Sequence, residues 1–144
     1  MKLERGFSLV EILVVLVIMG LLVSVVAPTV LNRADDARVQ KVYADFANIE
    51  TALKLYRLDN FVYPTSEQGL QGLVNPSGLD PIPRNFKKGG YLERLPVDPW
   101  GRPYLYLSPG EYGEYDIYSQ GADGLTGGED QNQDLGNWDG DESQ

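Results

Sequence analysis

One carboxylate stands alone in a long apolar stretch near the amino terminus. Glu11 is the only charged residue within residues 7–27, and an ionised side chain in the middle of a membrane helix costs roughly 2.5 to 3.5 kcal/mol on insertion scales. No Lys or Arg lies within residues 7–32 to act as its partner. If the chain were cut after Gly6, the new amine of Phe7 would place a positive charge one helical turn from Glu11, in the same copy or a neighbouring one. The spacing therefore predicts processing followed by self-assembly.

A second group of oxygen-bearing side chains lies near the carboxyl terminus. Its members all lie inside one glycine-rich segment of twelve residues: Asp123, Glu129, Asp130, Asn132 and Asp134. Ca²⁺ takes six to eight oxygen ligands, and glycines allow backbone carbonyls to turn inward. The spacing imitates the start of an EF-hand loop, but Leu135 stands where that loop requires glycine. On spacing alone, a calcium loop and a solvated acidic tail are equally open.

The composition excludes several kinds of chemistry. The 144 residues include no histidine and no cysteine, which removes His-based catalysis, the usual zinc sites and disulfides. The net charge is −9, and residues 111–144 contain ten acidic side chains and no basic one. Nucleic acid is a poor partner for such a surface because phosphate binding requires a basic patch. No nucleophile paired with a base is recognisable in the sequence, so we do not expect an enzyme.

The apolar stretch predicts a membrane helix. Residues 7–27 would form about 31 Å of helix, enough to span a bilayer once. Lys2 and Arg5 precede the stretch, which places the leader on the cytoplasmic side. A secretory signal peptide cut after Ala27 is one alternative, although Pro28 would follow that cut directly and disfavours it. A plain membrane anchor is another, and it leaves the lone carboxylate unexplained.

Periodicity predicts that the helix continues to about Leu58. Apolar residues repeat at spacings of three and four: Val39, Val42, Phe46, Ile49, Leu53 and Tyr56. Charged residues occupy the other faces, as in a helix with one side packed against a domain. Pro28 removes one backbone hydrogen bond and marks a weak point in this helix.

Shorter elements are predicted beyond the long helix. A short helix is expected over residues 67–74, with Thr65 or Ser66 as its cap. Dense Pro, Gly and Asn residues make 75–90 a loop.

A hairpin is the last regular element that the pattern predicts. Residues 104–108 and 115–119 alternate between apolar and polar side chains on either side of a Pro-Gly turn. No regular pattern follows Gln120. We therefore expect an α+β chain in which one long helix packs against a small antiparallel sheet.

The amino-terminal residues resemble the class III signal of type IV pilins and their relatives. A short basic leader ends in Gly6, Phe7 follows, and Glu11 lies inside the apolar stretch. The resemblance implies that a prepilin peptidase cuts after Gly6 and methylates the amine of Phe7. It also implies that Glu11 recruits the subunit into a helical filament and that Pro28 matches a helix-kinking proline.

Motifs along the rest of the chain resemble those of the major pseudopilins of type II secretion. The matching segments are 56–60, 63–65, 67–70, 95–101, 108–110, 121–124 and 136–138, together with Tyr104. This resemblance implies a type IV pilin-like fold and a structural subunit of the periplasmic pseudopilus, which polymerises to drive export of folded proteins across the outer membrane. A type IV pilus or competence pilin is the alternative, and a membrane-anchored calcium-dependent hydrolase or lectin is a more distant one.

The resemblance also implies an organisation, a location and partners. It divides the chain into a cleaved leader at 1–6, a transmembrane and assembly helix at 7–28 and a periplasmic head at 29–144. The subunit would lie in the inner membrane of a Gram-negative bacterium before it assembles. Its partners would be further copies of itself, the prepilin peptidase, the inner-membrane assembly platform, minor pseudopilins and membrane lipid.

A calcium loop over residues 120–138 follows from the same resemblance. The ligand set that it implies is Asp123, Asp134, Asp130 and the backbone carbonyls of Gln120 and Leu125. Gln133 stands where some members have a second aspartate, and Asp130 or Glu129 would fill that vacancy. Because no disulfide is available, the ion would clamp a segment whose like charges repel.

Overall fold

The computed structural model describes the backbone of residues 6–142 and the side chains of residues 6–25 and 33–140. Residues 1–5 of the predicted leader and the side chain of Pro28 lie outside what is described. The chain divides into two compact units, of which the first ends at Ala37 and the second begins at Arg38.

A single helix accounts for most of the regular structure. Helix α1 spans Leu9–Asn60, close to the predicted bounds, and its backbone continues through residue 28, so the predicted weak point is not a break. The helix closes with a left-handed residue: Phe61 has a φ of 67°, and its N–H donates to the carbonyl of Arg57 at 2.7 Å. This conformation turns the chain out of the helix after Asn60.

The first unit presents its apolar side chains to the outside. Every large apolar side chain within residues 9–25 is at least 45% exposed. Within the part of the chain that the structure describes, no helix is long and apolar enough to cross a bilayer.

The core of the second unit forms on the predicted stripe of α1. Val42, Ile49 and Leu53 are completely buried, while Phe46 and Tyr56 are 3% and 1% exposed. Val39 packs partly buried against the same core. The other core side chains come from later segments: Leu70, Leu73, Tyr104, Tyr106, Tyr115, Ile117 and Leu135. The periodicity of the helix therefore identified its buried face correctly.

The sheet has three antiparallel strands in the order β1-β2-β3. Strands β1, Leu105–Leu107, and β2, Asp116–Ser119, form the predicted hairpin, with Tyr106 opposite Ile117. Strand β3, Leu135–Gly136, pairs with the other edge of β2. No pattern after Gln120 indicated β3, because a two-residue strand is too short to show alternation.

The predicted second helix is a shorter 3₁₀ helix, Leu70–Leu73. Two reciprocal hydrogen bonds hold the turn that leads into this helix. The Thr65 hydroxyl accepts from the N–H of Gln68 at 3.2 Å, and the Gln68 side chain accepts from the N–H of Thr65 at 2.9 Å. These bonds resemble a capping box, but they close the turn that precedes the 3₁₀ helix. The N-cap of the helix itself is Gly69, with no side-chain cap, so the prediction that Thr65 or Ser66 caps the helix was wrong. Residues 75–90 contain no helix or strand, as predicted.

Candidate functional site

The predicted metal ligands lie in the loop 120–134, which leads from β2 to β3 and which we call the acidic loop. Its backbone turns repeatedly into the left-handed region, at Gly121, Gly124, Gly127, Gly128 and Asp130. The two ends of the loop are tied together, because the N–H of Ala122 donates to the carbonyl of Gln131 at 2.8 Å. The acidic loop is therefore a closed structure ordered by its own backbone.

Two predicted carboxylate ligands are oriented by amides of this loop. Asp123 Oδ1 accepts from the N–H of Leu125 at 3.0 Å, and Asp134 Oδ2 accepts from the N–H of Gly127 at 2.9 Å. The second oxygen of Asp134, Oδ1, is buried and has no hydrogen-bond partner among the described residues. A buried carboxylate oxygen without a partner is costly. The position therefore suits a cation ligand.

The other predicted ligands differ in how firmly they are held. The carbonyl of Gln120 accepts from the N–H of Gly124 at 3.1 Å, which closes a turn. Asp130 is exposed, and Leu125, whose carbonyl is the predicted ligand, is 67% exposed. No group of three or more acidic, His or Cys side chains that could hold a metal ion exists among the residues that the structure describes. The full ligand set stays a prediction.

A basic side chain that the sequence did not single out reaches the acidic loop. Arg102 Nη2 donates to the carbonyl of Gly121, and its guanidinium lies against Gly124, where a Cβ would come within 2.6 Å of Nη1. The position follows a Pro-Trp-Gly turn, but nothing local in the sequence indicates a contact 19 residues away.

The turn that carries Arg102 is anchored by a buried carboxylate. Asp98 is 3% exposed, and its Oδ1 accepts from the N–H groups of Trp100 and Arg102 at 3.0 and 2.8 Å. Its Oδ2 accepts from the Ser119 hydroxyl at 2.8 Å. Trp100 is partly buried against the core. These contacts agree with a role in folding for the turn at residues 98–102.

The residues of the predicted processing site are accessible. Gly6 and Phe7 precede α1 in non-helical conformation, and Phe7 is 81% exposed. Glu11 lies in the first turn of α1, where a helix favours negative charge. An exposed, non-helical Gly6–Phe7 peptide is open to a protease.

The chain matches one family over most of its length. The family model of the type II secretion system (T2SS), protein G, matches residues 29–138, and that of the prokaryotic N-terminal methylation motif matches residues 1–27. The chain is 52% identical over 136 residues to the type II secretion system core protein G of Pseudomonas aeruginosa, covering 94% of this chain and 96% of that protein. It is 49% identical over 138 residues to the protein of the same name from Vibrio cholerae, covering 96% and 94%.

A solved structure agrees with this match. The crystal structure of the major pseudopilin from the type 2 secretion system of enterohaemorrhagic Escherichia coli is similar, with a TM-score of 0.69 and 48% identity over 76% of this chain and 93% of that one. The similarity confirms the predicted α+β, pilin-like fold. With the family model and these relatives in agreement, the chain belongs to the type II secretion system protein G family of major pseudopilins.

Proposed function

We propose that this chain polymerises into the periplasmic pseudopilus of a type II secretion system, whose growth drives folded proteins across the outer membrane. The observation that carries this proposal is that the two family models, a methylation motif over residues 1–27 and protein G over residues 29–138, follow one another along the chain. Proteins of this family are structural pseudopilins. The chain is accordingly a filament subunit and not an enzyme.

Processing prepares the subunit for assembly. A prepilin peptidase would hydrolyse the bond between Gly6 and Phe7 and methylate the new amine of Phe7. The exposure of Gly6 and Phe7 supports this, since hydrolysis needs access to the peptide bond between them and methylation needs access to the amine that hydrolysis releases. The amine retains its positive charge after methylation, so it can neutralise Glu11 of the same or a neighbouring subunit.

The apolar first part of α1 would anchor the subunit in the inner membrane until it is incorporated. The exposed apolar side chains of residues 9–25 support this, because a continuous surface of this kind is unfavourable in water. Lipid would cover the surface first, and copies of the same helix would cover it in the fibre. The head would lie in the periplasm, where minor pseudopilins and the assembly platform meet it.

A calcium ion bound by the acidic loop would stabilise the head. The buried, unpartnered Oδ1 of Asp134 supports this, together with Asp123, whose carboxylate is oriented by the loop. The ion would join the beginning and the end of the loop by coordination. It would thereby replace the cross-link that a chain without cysteine cannot make.

The intact mass of the protein recovered from cell membranes tests processing. We expect the loss of residues 1–6 and the gain of one methyl group. Loss of residues 1–27 would instead identify an ordinary secreted domain and overturn the filament proposal. An unprocessed chain would contradict the role of Gly6 and Phe7.

Deletion of the gene in its own host separates the secretion role from that of a pilus or competence pilin. We expect folded exoproteins to accumulate in the periplasm while twitching motility and transformation are unchanged. Normal exoprotein release with loss of motility or DNA uptake would favour the alternative.

A further inference from the structure

Arg102 holds the acidic loop from outside. Arg102 reaches it at two points: Nη2 donates to the carbonyl of Gly121, and the guanidinium lies beside Gly124, where a Cβ would come within 2.6 Å of Nη1. Both points lie in the first half of the loop. This half also contains Asp123 and the two carbonyls, of Gln120 and Leu125, that are predicted to bind the ion.

The guanidinium is aimed by the fold. The N–H of Arg102 is bound by Asp98 Oδ1, and its carbonyl accepts from the N–H of Asp98 at 2.8 Å. In the side chain, Nε lies 3.9 Å from Asp98 Oδ2. Asp98 is in turn tied to β2 through Ser119. The backbone of Arg102 is therefore held in place where its side chain extends towards the loop.

We propose that Arg102 is a positioning residue for the acidic loop, holding residues 120–125 in the conformation that binds the cation. The proposal rests on the calcium site of the proposed function, which it deepens. Arg102 would not coordinate the ion, since a guanidinium has no acceptor. It would act through Gly121 and Gly124. By holding the loop in its binding conformation before calcium arrives, it would reduce the conformational entropy that the loop loses on binding.

The charge of Arg102 would not by itself help the loop to bind a cation. A positive side chain beside a cation site opposes binding, so the benefit must come from geometry. A guanidinium is a planar fork that can donate to a carbonyl while its face lies against a glycine, and an ammonium is not. Arg102→Lys keeps the charge and removes this geometry, which makes it the informative variant.

The test uses the full chain in detergent micelles and three measurements on Arg102→Lys. We expect calcium affinity by titration calorimetry to fall about tenfold, as for residues that support metal ligands. In chelator, we expect faster amide hydrogen exchange at Ala122, Gly124 and Leu125. The melting temperature in chelator should stay within a degree or two of the wild type, because the core is untouched.

Two glycines provide a matched pair. Gly124 and Gly127 have φ values of 71° and 91°, so alanine is strained at both. At Gly124 the new Cβ would displace the guanidinium, while at Gly127 nothing lies within 4 Å. We expect Gly124→Ala to reproduce the loss of affinity of Arg102→Lys, and Gly127→Ala to lose less.

The measurements separate failure of this inference from failure of the calcium site. Unchanged affinity and exchange in Arg102→Lys would overturn the positioning role, and so would a lower melting temperature with unchanged affinity. Tighter calcium binding in Arg102→Met would show that Arg102 only opposes the ion. If the wild type bound no calcium, the calcium site would fall, and exchange in chelator alone would decide the role of Arg102.

Discussion

Three aspartates of the head differ in how their oxygens are satisfied. Asp98 has both oxygens in hydrogen bonds. Asp116, which is 2% exposed, accepts from the N–H of Glu111 at 2.6 Å and lies 3.3 Å from that of Tyr112 through either oxygen. Asp134 alone of the three keeps a buried oxygen without a partner among the described residues. The first two stabilise turns, whereas Asp134 is suited to hold a ligand.

Replacing Asp134 by Asn should remove the calcium response of the head. The variant loses the charge that makes Oδ1 a ligand, while the amide oxygen can still accept from the N–H of Gly127. We expect calcium to raise the melting temperature of the wild type but not that of Asp134→Asn, with the melting temperature in chelator unchanged or slightly higher in the variant. Glu93→Gln, at an exposed position outside the acidic loop, is the control and should keep the full rise. A full calcium response in Asp134→Asn would contradict its assignment.

Buried tyrosines should make the head sensitive to alkali. Burial raises the pKa of Tyr106 to about 12, and burial followed by the hydrogen bond to Asp45 raises the pKa of Tyr104 well above its usual value. Their hydroxyls donate to the carbonyl of Pro64 at 2.8 Å and to Asp45 Oδ2 at 2.6 Å. The folded state therefore keeps these protons when the unfolded state, with a pKa of about 10, releases them.

The free energy of unfolding should be constant for these groups below about pH 10 and fall as the pH rises from about 10 towards 12. Urea unfolding at a series of pH values measures this. Tyr106→Phe should be less stable at pH 8, because it loses a buried hydrogen bond, and should fall less steeply above pH 10. Parallel curves for the two proteins would contradict the role of Tyr106.

At the scale of elements, α1 contributes two different surfaces. Residues 9–25 expose apolar side chains, whereas the stripe from Val42 to Tyr56 is buried in the core of the second unit. The first surface carries no polar face and the second follows a period of 3.6 residues. One continuous helix can therefore serve assembly at one end and folding at the other.

Two leucines of α1 test this division within the second unit. Leu53 is completely buried and Leu58 is 72% exposed. Leu53→Ala should lower the free energy of unfolding by roughly 2–5 kcal/mol, since it leaves a cavity. Leu58→Ala should change it by less than about 0.5 kcal/mol. Equal losses in urea unfolding would contradict the packing of the helix.

At the scale of the whole molecule, two features of the chain would be satisfied by other molecules in the proposed function. The apolar side chains of residues 9–25 are exposed, and the proposed lipid or further copies of the chain would cover them. The buried Oδ1 of Asp134 has no partner among the described residues, and the proposed cation would satisfy it. Both features fit the proposed function, in which the subunit is first anchored in a membrane and later incorporated into a fibre.

Removal of the charge on Glu11 should impair assembly more than folding. In cells that also make the wild type, we expect Glu11→Leu to be scarce in purified fibres, because it cannot neutralise a Phe7 amine. The melting temperature of the head should be unchanged. Ile12→Leu, a neighbouring apolar replacement, should assemble normally. Normal copolymerisation of Glu11→Leu would disprove the assignment of Glu11.

Patterns within contiguous residues were enough to predict much of this molecule. The long helix and its buried stripe follow from the 3.6-residue period, and the hairpin follows from alternation around a turn. The motif of Gly6, Phe7 and Glu11 and the clustering of acidic residues are equally local. Such features can be predicted from the sequence because residues close together in the chain determine them.

Contacts between distant segments could not be inferred in this way. Strand β3 exists because two residues meet the free edge of β2, and Arg102 matters because folding brings it to Gly121 and Gly124. The spacing identified Asp134 as a candidate ligand, but its solitary buried oxygen is a property of the closed loop. Burial and distance arise only when the chain is packed, so the environment of a side chain belongs to the folded molecule.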